Sequence, residues 1–187
     1  MASPALSDLP SARERVLDAA ETRLLAGGPS ALVLDAVAHD AGVSKGGLLY
    51  HFPSKTALVD GLVERMLDGF EQSQALRARA DAGAGRWTRA YLDTTVDPEG
   101  GPADSSAKLM AGILACIGGD AERLATVGDA FARWQRRLED DGLDPATATL
   151  VRLAADGLWL SQLLGLPRVD PPLLRQVLDA LRDRTQA

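Results

Sequence analysis

Cysteine and histidine are scarce in this chain, which has 187 residues but only one cysteine, Cys116, and two histidines. A single thiol excludes a disulfide framework and a multi-cysteine zinc site within one chain, and it suits a reducing cytoplasm. G-x-S-x-G, P-loop and H-E-x-x-H motifs are absent, and neither histidine stands in a catalytic constellation. We therefore expect no enzyme, no cofactor and no metal site.

Long apolar runs are missing as well. No stretch approaches the ~18 residues that a helix needs to span a membrane. The N-terminal MASPALSDLPSARERVL also lacks the basic cluster and the apolar segment of a signal peptide. We expect a soluble, cytoplasmic protein with no membrane partner.

Positive charge is limited overall, because the formal net charge is −6. That balance argues against non-specific nucleic-acid binding through bulk charge. Acidic residues are nevertheless absent between Asp40 and Asp60, a window that holds Lys45, His51 and Lys55. By charge alone this window is either a chance gap or a locally basic surface in an acidic protein.

The period-two alternation of a β-strand is essentially absent, and helical signals run from end to end. Ser11 and Glu14 form a capping box, and glycines, prolines and further caps divide the rest. The stretch DPEGGPADS, residues 97–105, predicts the clearest loop. The sequence predicts an all-α fold of about nine helices, near residues 11–27, 34–41, 44–52, 54–80, 86–97, 106–117, 120–141, 144–165 and from 170 onward.

Two of these short helices are joined by AGVS, residues 41–44, which is the pattern of a helix-turn-helix. The second helix of such a unit enters the major groove with its N-terminal residues toward the base edges. Here those residues are Lys45, Gly46 and Gly47. Each glycine costs a helix interior about 1 kcal/mol relative to alanine, and its absent side chain lets the backbone approach the groove.

The string LDAVAHDAGVSKGGLLYHFPSKTALV, preceded by RERVLDAA, closely resembles the DNA-binding region of TetR-family transcriptional regulators over about residues 11–62. The resemblance implies a helix-turn-helix DNA-binding domain over 1–56 and a helical domain for ligand sensing and dimerisation over 57–187. It also implies DNA contacts from the recognition helix and from the start of the next helix. The implied contact residues are Ser44, Lys45, Gly46, Gly47, Leu49, Tyr50, His51 and Lys55.

The chain departs from the family pattern at three positions. Tyrosine is common where Leu49 stands, a threonine or serine where Gly47 stands, and a hydroxyl residue where Val33 stands. The last departure leaves one phosphate contact open, and Ser30 is an alternative source of it. Whether Leu49 or Tyr50 touches DNA also stays open.

Helix eight is apolar on nearly every side, as expected of a helix that is central in its domain or shared with a partner. In the family that the chain resembles, the last two long helices form a four-helix dimer interface. The alternative is an ordinary internal helix pair. The predicted interface residues are Leu150, Leu153, Ala154, Gly157, Ser161, Leu164, Leu174, Val177, Leu178 and Leu181.

The few aromatic residues recur in the middle helices. In a regulator of this type such helices enclose a cavity for a small apolar or aromatic effector, although the same side chains would also serve as ordinary core. The predicted lining residues are Met66, Phe70, Trp87, Tyr91, Met110, Phe131, Trp134, Trp159 and Leu163.

The resemblance implies a ligand-responsive repressor that binds a palindromic DNA operator as a homodimer, in the cytoplasm of a bacterium and on the nucleoid when bound. The alternative is a helical protein-interaction adaptor with a vestigial DNA-binding head.

Overall fold

The computed structural model describes residues 10–96 and 104–186, and these ranges are helical without a strand. The predicted all-α fold of about nine helices is confirmed. A short 3₁₀ turn, Gly28–Ala31, follows the first helix. The helices are α1 (Ala12–Gly27), α2 (Leu34–Asp40), α3 (Lys45–His51), α4 (Lys55–Ala80), α5 (Arg86–Thr95), α6 (Asp104–Ile117), α7 (Ala121–Glu139), α8 (Pro145–Leu163) and α9 (Pro171–Asp183).

Local caps set most of the helix ends. At α1 the hydroxyl of Ser11 accepts from the amide of Glu14 at 3.2 Å, and the Glu14 carboxylate accepts from the Ser11 amide at 2.8 Å. The side chain of Asp120 accepts from two amides at the start of α7. Asp170 precedes α9 without a capping hydrogen bond, and Pro171 and Pro172 at the first two helical positions carry no N–H to donate. Most of the predicted loop over 97–105 lies outside the described residues.

The described residues form two compact units. The first takes the chain up to Glu64 together with Gly112–Gly118, and the second takes Arg65–Ala111 and the chain from Gly119 onward. The division falls within α4, eight residues after the end of the domain predicted over 1–56. That predicted boundary stays a prediction.

The first unit packs α1, α2 and α3 around a small apolar core. Leu17 of α1, Val37 of α2 and Leu48 of α3 are fully buried in it. The ring of Phe52 lies against Gly61 of α4, where an added Cβ would stand 2.6 Å from a ring carbon. A glycine at 61 therefore makes room for the residue that ends α3, and α3 is fixed at both its middle and its end.

The second unit has its own core, built from α5, α7, α8 and α9. Tyr91 and Leu92 of α5, Trp134 of α7 and Val151 of α8 are buried within it. Asp141, just after α7, accepts hydrogen bonds from the first turn of α5. Burial of these large side chains supplies the main driving force for this unit, at roughly 1.5–3 kcal/mol for each fully buried Leu, Val or Phe-sized group.

Candidate functional site

Helix α3 presents one face to its own unit and another to solvent. Ser44 caps it, with the hydroxyl accepting from the amide of Gly47 at 3.0 Å. Leu48 and Phe52 are buried and hold the helix against the unit. Lys45 and Tyr50 lie on the exposed side. Of the predicted DNA-contact residues, those exposed to solvent are Ser44, Lys45, Gly46, Tyr50 and Lys55.

Tyr50 is the most exposed large side chain of this helix, at 83% of its surface. Its ring meets that of His51 edge to face, with 5.1 Å between centroids. Leu49 is half-buried. The side chain at position 50 is therefore open to solvent, whereas the apolar side chain at position 49 is partly covered by its own unit.

Gly46 and Gly47 both have ordinary helical backbone, since neither is among the glycines of positive φ. A Cβ at position 46 would find no atom of the chain closer than the Ser44 hydroxyl oxygen, at 3.9 Å. At position 47 the same oxygen would stand 3.3 Å away. Neither backbone conformation nor packing within the described residues explains a glycine at position 46.

The two lysines of the predicted contact set both have partners within the first unit. The ammonium of Lys45 lies 2.8 Å from one carboxylate oxygen of Asp35 and 3.2 Å from the other. The Lys55 ammonium donates to the carbonyl oxygen of Pro29 at 3.0 Å. Residues 41–59 contain no acid in the sequence, but in the structure Asp35 of α2 lies beside Lys45 at the start of α3.

The start of α2 lacks a side-chain cap. Val33 occupies the cap position, is exposed and has extended backbone. Ser30 donates its hydroxyl to the carbonyl oxygen of Gly27 at 3.1 Å, inside the 3₁₀ turn. Ser30 therefore does not replace the missing cap of α2, and its phosphate contact stays a prediction.

Four of the predicted pocket residues pack against one another in the second unit. Phe70 and Trp134 have centroids 4.7 Å apart, and Phe131 and Trp134 5.0 Å. Tyr91 meets the Phe70 ring edge to face at 5.7 Å. We call Phe70, Tyr91, Phe131 and Trp134 the aromatic cluster. The other predicted lining residues, Met66, Trp87, Met110, Trp159 and Leu163, are half-buried.

The aromatic cluster has a polar edge. The Tyr91 hydroxyl donates to Asp156 at 2.6 Å, and Arg152 donates to the other Asp156 oxygen at 2.6 Å. Burial raises the pKa of Asp156 above its ordinary value, while the hydrogen bonds from Tyr91 and Arg152 oppose that rise. Burial, with the nearby Asp156 charge, raises the pKa of Tyr91, so its hydroxyl stays protonated as a hydrogen-bond donor.

Another half-buried predicted residue, Trp87, lies beneath a cation. The guanidinium of Arg137 stands 4.5 Å from the Trp87 ring centroid. The same guanidinium donates to Glu71 at 2.6 Å, and this hydrogen bond lowers the pKa of Glu71. Trp87 therefore has an internal electrostatic partner separate from the aromatic cluster.

A cavity of about 360 Å³ lies elsewhere in the second unit, near the end of α8 and the start of α9. None of the predicted pocket residues lines it, and only Ser161 and Leu174 belong to any predicted site. Spacing alone gave no signal for this cavity, because its walls combine the end of α5, the last turns of α8, the segment after it and the first turn of α9. The lining residues are Val96, Leu158, Ser161, Gln162, Leu166, Arg168, Val169, Asp170, Pro171 and Leu174.

One side of α8 is apolar and exposed. Leu150, Leu153, Leu160 and Leu164 each expose between 46% and 62% of their surface, and Gly157 lies in the same row. The spacings alternate between three and four residues, as in the seam of a coiled coil. We call Leu150, Leu153, Gly157, Leu160 and Leu164 the α8 stripe. Sequence reasoning named four of these and missed Leu160.

The α9 residues of the predicted interface lie elsewhere. Leu174, Leu178 and Leu181 are buried inside the second unit, and Val177 is half-buried. On α8, Ala154 and Ser161 are half-buried beside the stripe. Both helices have an apolar side, but the protomer covers that of α9 with its own residues and leaves that of α8 open.

Among the side chains described within residues 10–96 and 108–186, no three from His, Cys, Asp or Glu gather as metal ligands. No helix of this described part is both long enough and apolar enough to cross a membrane.

Two family models match the chain. The model "Bacterial regulatory proteins, tetR family" matches residues 16–62, which contain the recognition helix. The model "Tetracyclin repressor-like, C-terminal domain" matches residues 85–186, more than half of the chain. The first match includes α3 and the start of α4, and the second begins after α4 ends and includes the α8 stripe.

Solved structures agree with these matches. A regulator from Rhodococcus sp. described as TetR-family has a TM-score of 0.70 at 19% identity, covering 94% of this chain and 99% of its own. The multidrug binding protein EbrR complexed with malachite green has a TM-score of 0.65 at 26% identity, covering 92% and 98%. A regulator from Saccharomonospora viridis in complex with choline has a TM-score of 0.71 at 20% identity, covering 92% and 95%.

Proposed function

Because this chain belongs to the TetR family of bacterial transcriptional regulators, we propose that it is a ligand-responsive repressor that binds a palindromic operator as a homodimer. The observation that carries the proposal is the outward face of α3. Buried Leu48 and Phe52 fix the helix, while Lys45 and Tyr50 remain exposed. This arrangement suits a helix that enters the major groove by its N-terminal end.

The contacts divide into two kinds. Lys45, at the first position of α3, is the candidate for base edges, because lysine donates to the O6 and N7 acceptors of guanine. Tyr50, His51 and Lys55 are the candidates for phosphate contacts, which position the protein without reading sequence. Between the two candidates left open by the sequence, exposure favours Tyr50 over Leu49.

The α8 stripe supports the proposed homodimer. Four exposed leucines in one row are costly in water, and burial of apolar surface contributes about 25 cal/mol per Å². An identical stripe on a second copy fits this row in an isologous interface. Two recognition helices spaced about one helical turn of DNA apart would read the two halves of a palindrome.

The effector is the least specified part of the proposal. We infer a small organic molecule with apolar or aromatic surface that binds within the second unit, at or beside the aromatic cluster. A structure bound to malachite green and one bound to choline share the fold. Release of the operator requires the effector to bind the DNA-incompetent state more tightly, by roughly 1–3 kcal/mol. Helix α4 carries both Lys55 and Phe70 and is the proposed link.

Selection from a pool of random DNA duplexes tests the DNA-binding claim. We expect the selected duplexes to share a palindrome, and footprinting on DNA upstream of its own gene to protect a matching site. An adaptor with a vestigial DNA-binding head would enrich no sequence, and that result would overturn the proposal.

Tryptophan fluorescence tests the effector claim. Trp134 lies in the aromatic cluster and Trp87 beneath Arg137, so a molecule binding at the cluster should change the emission of wild-type protein. The Trp134→Phe variant should lose most of that change. A broad library of small aromatic and cationic molecules, choline included, that left the emission unchanged would contradict an effector site beside these residues.

A further inference from the structure

Asp35 of α2 is an acid that pairs with Lys45, one of the predicted DNA-contact residues. Its two carboxylate oxygens lie 2.8 Å and 3.2 Å from the Lys45 ammonium. Both side chains are mostly exposed, at 66% for Asp35 and 62% for Lys45. The pair therefore lies on the surface from which Lys45 would meet DNA.

A carboxylate in this position changes what Lys45 offers to a nucleic acid. A lysine that neutralises a phosphate releases a counterion from DNA, and this release supplies most of the affinity for unselected sequence. A lysine already paired with Asp35 neutralises less phosphate charge, because Asp35 has already compensated part of its own charge. In water such an exposed pair is weak, so Asp35 does not immobilise Lys45 but lowers its contribution.

The same pair leaves base recognition largely intact. An ammonium group has three N–H donors and no acceptor. Asp35 takes up the donors that point toward α2, and a remaining donor can reach the O6 or N7 acceptor of a guanine. Pairing with Asp35 should therefore weaken the attraction of Lys45 to phosphates anywhere on DNA. It should weaken the hydrogen bond to one particular base acceptor less.

We propose that Asp35 is a specificity-determining residue of the DNA interface, which acts through Lys45 to lower binding to unselected DNA more than binding to the operator. The inference rests on the proposed DNA-binding function and adds a residue that the predicted contact set did not include. The net charge of the protein is −6, and its acid-free window holds Lys45, His51 and Lys55. Asp35 lies outside that window in the sequence but beside Lys45 in the structure.

The test compares Asp35→Asn with a matched control. Glu64 pairs with Arg13 at 3.3 Å in the same unit, and its side chain is 64% exposed, so Glu64→Gln removes one negative charge in a similar setting. Affinities are measured by fluorescence anisotropy over a salt series. The two labelled probes are a duplex selected from the random pool by wild-type protein and a scrambled duplex of the same composition.

We expect Asp35→Asn to bind the scrambled duplex about three- to tenfold more tightly at low salt. Its log–log salt slope should steepen by about 0.9, the value for one further phosphate contact. Affinity for the selected duplex should rise less, so the ratio of specific to non-specific affinity falls. Glu64→Gln should leave that ratio unchanged. In a Lys45→Ala background, the substitution at position 35 should have much less effect.

Two results would overturn the inference: a change in Asp35→Asn no larger than in Glu64→Gln, or an effect that persists undiminished without Lys45. The second result would mean that Asp35 repels phosphates independently of Lys45. A wild-type protein that selects no duplex would instead overturn the proposed function and, with it, this inference. Thermal unfolding of each variant establishes that the first unit is folded.

Discussion

The carboxylate of Asp141 caps the first turn of α5 at Thr88, although the two residues lie 53 positions apart in the sequence. One carboxylate oxygen accepts from the Thr88 amide at 2.8 Å and from the Thr88 hydroxyl at 2.9 Å. The other accepts from the Trp87 amide at 3.1 Å. Gly85, the residue before α5, provides no side-chain cap. The first turn of α5 therefore depends on an acid from the end of α7.

Replacing Asp141 with alanine should destabilise the protein by about 3 kcal/mol, because it removes a helix cap and leaves buried amides without an acceptor. Asp141→Asn should lose less, since its amide oxygen still accepts one bond. Urea unfolding followed by circular dichroism measures both. Asp140→Ala, a neighbouring acid that is exposed, should lie close to wild type. A loss below 1 kcal/mol for Asp141→Ala would contradict the capping role.

The α8 stripe predicts the effect of a charge at its centre. If this stripe forms the proposed homodimer, Leu153→Asp should yield a monomer, because a carboxylate would be buried against apolar leucines of the second copy. Sedimentation velocity at micromolar concentration measures the change. Leu76 of α4 is also exposed, at 71%, but lies outside the stripe, so Leu76→Asp should remain dimeric. Equal sedimentation of wild type and Leu153→Asp would place any dimer interface elsewhere.

Substitution of Gly46 should change the stability of the protein and its DNA affinity in opposite directions. Alanine fits the space around position 46 in the chain and favours a helix by up to about 1 kcal/mol over glycine. We expect Gly46→Ala to unfold at a higher urea concentration and yet to bind the selected duplex at least tenfold more weakly. Unfolding and anisotropy titrations on the same sample check both halves. A variant that binds as tightly as wild type would remove the proposed close approach of this backbone to DNA.

The Asp81–Arg89 pair predicts a pH dependence. Arg89 donates to Asp81 at 2.6 Å, and this hydrogen bond lowers the pKa of Asp81 below its ordinary value of 3.8. The stabilisation is therefore present above that value and is lost as the pH falls through the lowered pKa of the folded state. The difference in unfolding free energy between wild type and Asp81→Asn should be constant near neutrality and shrink toward pH 3. A difference that grows in acid would contradict this assignment.

Much of the fold could be predicted because its signals are local. The capping box of Ser11 and Glu14 and the Ser44 cap each act within one turn, and the glycines and prolines that end helices act within a residue or two. The recognition helix could be found for the same reason, since its turn and its buried residues lie within a short stretch.

The remainder depends on contacts between distant residues. The pairing of Asp35 with Lys45 joins two helices, and the cap by Asp141 joins α7 to α5. Helices α8 and α9 carry apolar rows of similar period, and periodicity cannot tell which row the protomer covers. Burial of Leu178 and exposure of Leu153 follow from which helices pack beside each row.

Specific DNA binding through α3 is the central claim, and the affinities of Lys45→Ala and Lys55→Ala across a set of duplexes test it most directly. The set contains the selected palindrome and each of its single-base variants, and exposed Lys108 supplies the control Lys108→Ala. We expect Lys55→Ala to weaken all duplexes by one common factor. Lys45→Ala should lose about 1–3 kcal/mol on the palindrome and flatten the preference at one base pair in each half. Binding and base preference equal to wild type in Lys45→Ala would contradict the account.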